Sequence, residues 1–179
     1  MNVQKCDYPW THWVIDEFLE PSDYSALLKW FDTQPERTYD ERQELVADPF
    51  TIVYPKDIET PLHDSFVEVL THGGFVNYGT ITYQLFKMTP DELDEATHCD
   101  SPAKIASLVL YVGEENIGTF MHESNDTNPV KQIEWVENRA MLFFPEQGVT
   151  WHSYHNKGTK TPRCTALLNF RAEVLPRQA

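Results

Sequence analysis

Two histidines and an aspartate stand at spacings that suit a metal. His98-Cys99-Asp100 is followed about fifty residues later by Trp151-His152, and Arg163 comes eleven positions after that histidine. Two imidazoles and one carboxylate form the set that holds Fe(II) on one face and leaves the opposite face open for a co-substrate and oxygen. His98, Asp100 and His152 are therefore the candidate metal ligands and the candidate catalytic centre. One short segment can deliver both members of an H-x-D pair, because side chains two apart on an extended backbone point the same way. The competing histidines are His122 and His155, for which a substrate rim or plain surface is a better reading than a metal.

The segments around these residues read as strands. After its first residue, Lys104–Val112 is a run of apolar and small residues without Gly or Pro, long enough for a buried strand. Residues 139–144 (Arg-Ala-Met-Leu-Phe-Phe) read as another, stopped by Pro145, and the Glu-Gln-Gly stretch before Trp151 allows the chain to reverse and bring His152 beside the first two ligands. Residues 164–170 form a closing strand with Arg163 at its mouth, and residues 76–88 carry β-branched and aromatic side chains at strand density.

The run HCDSPAKIASLVLYV (98–112), then GTF (118–120), NRAMLFFP (138–145), WHS (151–153) and PRCTALLNF (162–170), resembles the catalytic core of the Fe(II)/2-oxoglutarate-dependent dioxygenases, nearest to the prolyl-4-hydroxylase-like branch. The resemblance spans roughly residues 76–172. It implies a mostly β (α+β) fold, a double-stranded β-helix or jelly-roll, cupin-like barrel backed by N-terminal helices. It also implies an activity, the oxidative decarboxylation of 2-oxoglutarate to succinate coupled to C–H hydroxylation of a peptide, prolyl substrates included, or of a small molecule. Fe(2+), 2-oxoglutarate and O2 are the implied cofactor and co-substrates, with ascorbate as an accessory reductant.

By the same resemblance Arg163 meets the distal carboxylate of 2-oxoglutarate, a role that fits the cost of burying an unpaired charge and the two-pronged geometry of a guanidinium. Lys160 and Arg171 are its reserves. Tyr111, on one face of its strand with Ile105, Ser107 and Val109, is a second partner for that carboxylate or else a packed aromatic. Asn169 falls on the Arg163 face, near the metal end. On the 76–88 strand Tyr83, Gln84 and Phe86 are candidates for touching the co-substrate, but neighbours on a strand point to opposite sides and the sequence does not choose; Tyr83 heads the set. The carboxylate at position 100 sets the chain apart from related halogenases, which carry a small residue there. Two other classes remain open: a cupin-like metal protein that does not use 2-oxoglutarate, and a catalytically silent barrel that binds.

Composition narrows the substrate. With 28 acidic against 14 basic residues the net charge is −14, and no segment is rich in Lys or Arg, which argues against a nucleic acid. A neutral or cationic partner is easier to accommodate. The acidic run at 91–95 (Asp-Glu-Leu-Asp-Glu) departs from the family pattern and leads directly into His98, where it could draw such a substrate in. No apolar run approaches membrane-spanning length, and three unpatterned cysteines (Cys6, Cys99, Cys164) suit a reducing, cytoplasmic setting. Oligomeric state is not legible.

The chain of 179 residues reads as one domain (1–179), with 1–75 as helical support and 76–172 as the catalytic barrel. Residues 13–18 (Trp-Val-Ile-Asp-Glu-Phe) predict a strand. Glu20-Pro21-Ser22-Asp23 then predicts a helix start, with Tyr24, Leu27, Leu28 and Phe31 as its buried stripe. A second helix is expected from Pro61, capped by Thr60, to about Thr71, ended by Gly73-Gly74. A short strand is expected at residues 50–54.

Overall fold

The computed structural model describes residues 1–38, 41, 53–72, 79–90, 95–155 and 159–172. Among these residues ten strands form two antiparallel sheets. The larger sheet has the order β1-β2-β8-β5-β10-β3, built from β1 (Asn2–Cys6), β2 (His12–Asp16), β3 (Gly79–Met88), β5 (Lys104–Val112), β8 (Ala140–Phe143) and β10 (Arg163–Ala172). The smaller has the order β4-β9-β6-β7, from β4 (Glu95–His98), β6 (Thr119–Met121), β7 (Lys131–Ile133) and β9 (His152–Tyr154). Among the described residues two helices, α1 (Pro21–Asp32) and α2 (Lys56–His72), pack on the larger sheet. No described helix is long and apolar enough to cross a membrane.

Alternation along the strands explains why the central runs are apolar throughout. Ala106, Leu108, Leu110 and Val112 face the helices with Leu27, Phe31, Leu62 and Phe66, whereas Val109 and Tyr111 face the smaller sheet with Met121, Ile133, Met141 and Phe143. A strand covered on both faces carries no polar side to expose. Gly118, leading into β6, sits so close to β7 that a Cβ there would lie 1.7 Å from the Ile133 carbonyl oxygen, which excludes any side chain.

Helix α1 starts where expected, with Pro21 at its first position and Leu27 and Phe31 buried. Helix α2 does not: it starts a turn earlier, at Lys56, and contains Pro61. The Pro55 carbonyl accepts the amides of Ile58 and Glu59 and so closes the first turn. Proline inside a helix costs a single amide-to-carbonyl bond and a local clash, and here Ile58, Leu62, Phe66, Val69 and Leu70 bury a full stripe in exchange. Strand β1 was not anticipated. Its side chains are mostly exposed and carry no hydrophobic alternation, so it is held by backbone pairing to β2, Asn2 opposite Asp16 through Cys6 opposite His12. The strand expected at 50–54 falls largely outside the described residues, as does the Gly73-Gly74 helix end; Val53 and Tyr54 are not in a strand, and the Tyr54 hydroxyl instead accepts the Leu85 amide of β3.

Asn138 fastens the helical layer to the sheet. Its backbone is left-handed (φ 58°), its side-chain oxygen accepts the Leu19 amide at 2.9 Å and its side-chain nitrogen donates to the Leu19 carbonyl at 2.8 Å. Asparagine tolerates this conformation better than most residues. Asn138→Ala removes both bonds and leaves a strained backbone, and urea unfolding should show a loss of about 2–4 kcal/mol. Asn138→Gly, which keeps the backbone at ease, should lose less; equal losses would remove the backbone from the explanation.

Candidate metal centre

The site is assembled by strand register. β4 and β9 are antiparallel neighbours in which His98 stands directly opposite His152, and residues opposed in this way have adjacent side chains. Their ring centroids are 4.4 Å apart. Asp100 lies just past the end of β4, and one ligand atom from each of His98, Asp100 and His152 falls within 4.8 Å of the others. The Glu146–Thr150 turn, with Gly148 left-handed (φ 76°), reverses the chain into His152 as the sequence suggested, and its Gln147 side chain donates to the Asp100 carbonyl.

Both imidazoles are oriented in the same way. Nδ1 of His98 donates to the Ala96 carbonyl at 2.9 Å, and Nδ1 of His152 donates to the Thr150 carbonyl at 3.0 Å. A carbonyl can only accept, so each Nδ1 carries the proton and each Nε2 keeps its lone pair. This backbone hydrogen bond fixes the tautomer that metal-ligating histidines need. Burial, then the neighbouring His98 ring, hold the His152 imidazole down to about 4, so it stays neutral across ordinary pH.

Asp100 is ionised. Burial works against its charge, but the Lys104 ammonium at 2.6 Å, the His152 ring and the Ser107 hydroxyl at 2.7 Å outweigh it and hold the carboxyl below its usual range. Ser107 has one proton, which the acceptor-only carboxylate claims. The same hydroxyl oxygen lies 3.0 Å from Oδ1 of Asn169, whose Nδ2 faces Oε1 of Gln84. Gln84 adjoins Asn169 at 3.5 Å and is 2% exposed, and its Nε2 is buried with no hydrogen-bond partner. An orphaned buried amide on the cavity wall fits a cavity that holds a polar ligand.

The cavity, about 170 Å³, runs from His98, Asp100 and His152 to Arg163. Arg163 is 3% exposed, donates to the Ile117 carbonyl, and has its guanidinium 4.4 Å from the Tyr154 ring centroid and 5.1 Å from that of Trp135. Glu95, at the start of β4, also lines it, while residues 91–94 of the acidic run lie outside the described residues.

Several expected residues stand elsewhere. Of Tyr83, Gln84 and Phe86, Gln84 is the one that lines the cavity; Tyr83 points to the opposite face, where its hydroxyl meets Nδ1 of His63 on α2. Tyr111 is fully buried, stacked on Trp135 at 4.6 Å, and its hydroxyl is taken up by Thr119, donating to the side-chain oxygen at 2.8 Å and accepting the amide at 3.0 Å. Thr119, not Tyr111, reaches the cavity wall. His122 is not a surface residue: it is 3% exposed, donates from Nδ1 to the Thr127 carbonyl and accepts the Ser153 hydroxyl at Nε2. His155 packs against Phe120, and Lys160 is exposed. Lys104 was missed because strict alternation turns it away from Ser107.

The donor set suits Fe(II): two neutral imidazole nitrogens, one carboxylate, and an open cavity on the remaining side. In the metal-free protein the depressed His152 has a consequence for stability. Between its ordinary value of 6.5 and about 4, the unfolded chain binds a proton there that the folded protein does not, so stability falls with pH through that window. Urea midpoints of the metal-free protein should decline from pH 6.5 to 4, and less steeply in His152→Gln. An unchanged slope in the variant would contradict the buried, neutral imidazole.

No family model matches this chain, and no curated protein does. Among solved structures, a prolyl-4-hydroxylase from Pseudomonas putida superposes with a TM-score of 0.60 at 17% identity, covering 90% of this chain and 87% of that one. A prolyl hydroxylase from Trichoplax adhaerens, in complex with a hypoxia inducible factor oxygen degradation domain peptide fragment, superposes with a TM-score of 0.61 at 12% identity, covering 90% and 84%. Despite the low identity, the chain has the fold of the prolyl-4-hydroxylases, as the resemblance in its sequence implied.

Proposed function

We propose that this protein is an Fe(II)- and 2-oxoglutarate-dependent oxygenase that hydroxylates a C–H bond of a peptide or small molecule. The observation that carries the reading is the meeting of His98, Asp100 and His152 within 4.8 Å, with both imidazoles held in the ligating tautomer. The facing six- and four-stranded sheets, together with the likeness to prolyl-4-hydroxylases, support reading the architecture as a double-stranded β-helix.

His98 and His152 would hold the iron through Nε2, and Asp100 through a carboxylate oxygen. Iron and 2-oxoglutarate together supply the oxidising chemistry, in which O2 is split, 2-oxoglutarate becomes succinate and carbon dioxide, and one oxygen atom goes to the substrate. The chain's task is placement and exclusion. Arg163, buried on the cavity wall with a fork of donors, suits the distal carboxylate of 2-oxoglutarate. Phe143, packed against the His152 ring at 5.0 Å, keeps water from one side of the site. Ser107 and Asn169 order the hydrogen bonds behind Asp100, and Gln84 offers an amide to whatever enters. With Tyr83 and Tyr111 engaged elsewhere, Gln84 and Thr119 take the places proposed for them beside the co-substrate.

A peptide substrate is supported by the Trichoplax enzyme's complex, and a neutral or cationic one by the net charge of −14. Purified protein loaded with Fe(II), with ascorbate to keep the iron reduced, should convert 2-oxoglutarate to succinate and add one oxygen to members of a peptide and metabolite panel. His98→Ala and Asp100→Ala should lose metal and turnover together. Arg163→Ala should keep its metal but need ten times or more 2-oxoglutarate, since removing one partner of a buried charge pair costs roughly 3–5 kcal/mol. If Lys160→Ala or Arg171→Ala raised that requirement and Arg163→Ala did not, the assignment of Arg163 would fail.

A further inference from the structure

Lys104 reaches the cavity through an irregularity in the sheet. Along β5 the pairing with β10 runs Asn169 opposite Ser107 and Phe170 opposite Ala106, then skips so that Arg171 lies opposite Lys104. Ile105 is the extra residue. A bulge of this kind reverses which way the residues beyond it point: Ile105 packs with the helix-side core, and Lys104 swings to the face of Ser107. There its ammonium lies 2.6 Å from Oδ1 of Asp100, with the two side chains only 15% and 12% exposed.

Both oxygens of Asp100 are thus capped, Oδ1 by an ammonium and Oδ2 by the neutral Ser107 hydroxyl. The two donors differ in what a metal ion does to them. A hydroxyl can stay on one oxygen while the other binds a cation. An ammonium cannot share the carboxylate with a divalent cation at no cost, because both draw on the same negative charge and repel each other at close range in a site shielded from water.

We infer that Lys104 is the metal's internal competitor: its ammonium occupies the Asp100 oxygen that a cation would take, and thereby sets the affinity of the His98-Asp100-His152 site below what its three ligands would give. The inference rests on the metal reading proposed above. Competition for one carboxylate is a negative coupling between Lys104 and the metal, and such couplings act reciprocally. Removing the ammonium makes the metal-free protein less stable, since it leaves a buried carboxylate alone, and makes metal binding tighter.

A purely structural salt bridge predicts the opposite sign, because a carboxylate set loose should bind metal more weakly. The test is Mn(II) titration by calorimetry on wild type, Lys104→Met, Lys104→Gln and Lys104→Arg. Lys104→Met should bind Mn(II) about 5- to 150-fold tighter than wild type, should unfold at lower urea without metal, and should recover more stability than wild type when Mn(II) is added. Lys104→Gln covers the case in which the Met variant does not fold and should move the same way. Lys104→Arg, which keeps the charge, should stay near wild type. Equal or weaker Mn(II) binding by both neutral variants would overturn the inference while leaving the metal site intact. Absence of Mn(II) binding by wild type, or binding undiminished in His98→Ala, would instead overturn the metal reading and the inference with it.

Discussion

The structure around the site depends on one cross-strand pairing. His98 and His152 face each other across β4 and β9, and each ring is turned by the same short bond, from Nδ1 to the carbonyl two residues earlier in its own chain. Because the donor and the acceptor lie two residues apart in the same stretch of chain, the tautomer is fixed without any other side chain. Two lone pairs are then left free on neighbouring rings, as the proposed metal site requires. The rest of the cavity supplies what this pair lacks: a charge to complete the ligand set, a buried cation at the far end, and walls that keep water out.

Irregular register does much of the remaining work. In β4 Glu95 lies opposite Tyr154 and His98 opposite His152, three residues against two, so a bulge lets Glu95 and His98 share the cavity face. In β5 the bulge at Ile105 brings Lys104 to Asp100. The charged residues nearest the ligands are thus delivered by departures from strict alternation, which is where bulges tend to be found in functional sheets. The central strands β5, β8 and β10 are regular where they carry the core, and their double-sided burial gives the bulged segments something rigid to hang from.

The sequence makes some of this legible and hides the rest for identifiable reasons. His98, Asp100 and His152 stand out because their side-chain chemistry and spacing are informative by themselves, and Lys104–Val112 stands out because a strand buried on both sides cannot contain a polar run. Strand parity separates Gln84 from Tyr83 but does not say which face is inward, since both faces of β3 carry large side chains. Tyr111 has the right type and the right face, yet its hydroxyl is claimed by Thr119, a contact between strands that no local pattern encodes. Strand β1 and the early start of α2 depend on backbone pairing and tertiary burial that override weak or unfavourable local signals.

The central claim is that three side chains hold one divalent metal through two Nε2 atoms and a carboxylate oxygen. Crystals of the protein grown with Co(II), which scatters anomalously and does not oxidise as Fe(II) does, test it most directly. A single anomalous peak at coordination distance from His98 Nε2, His152 Nε2 and Asp100 is the predicted result. A peak at another cluster, or one bonded to either histidine through Nδ1, would contradict the account.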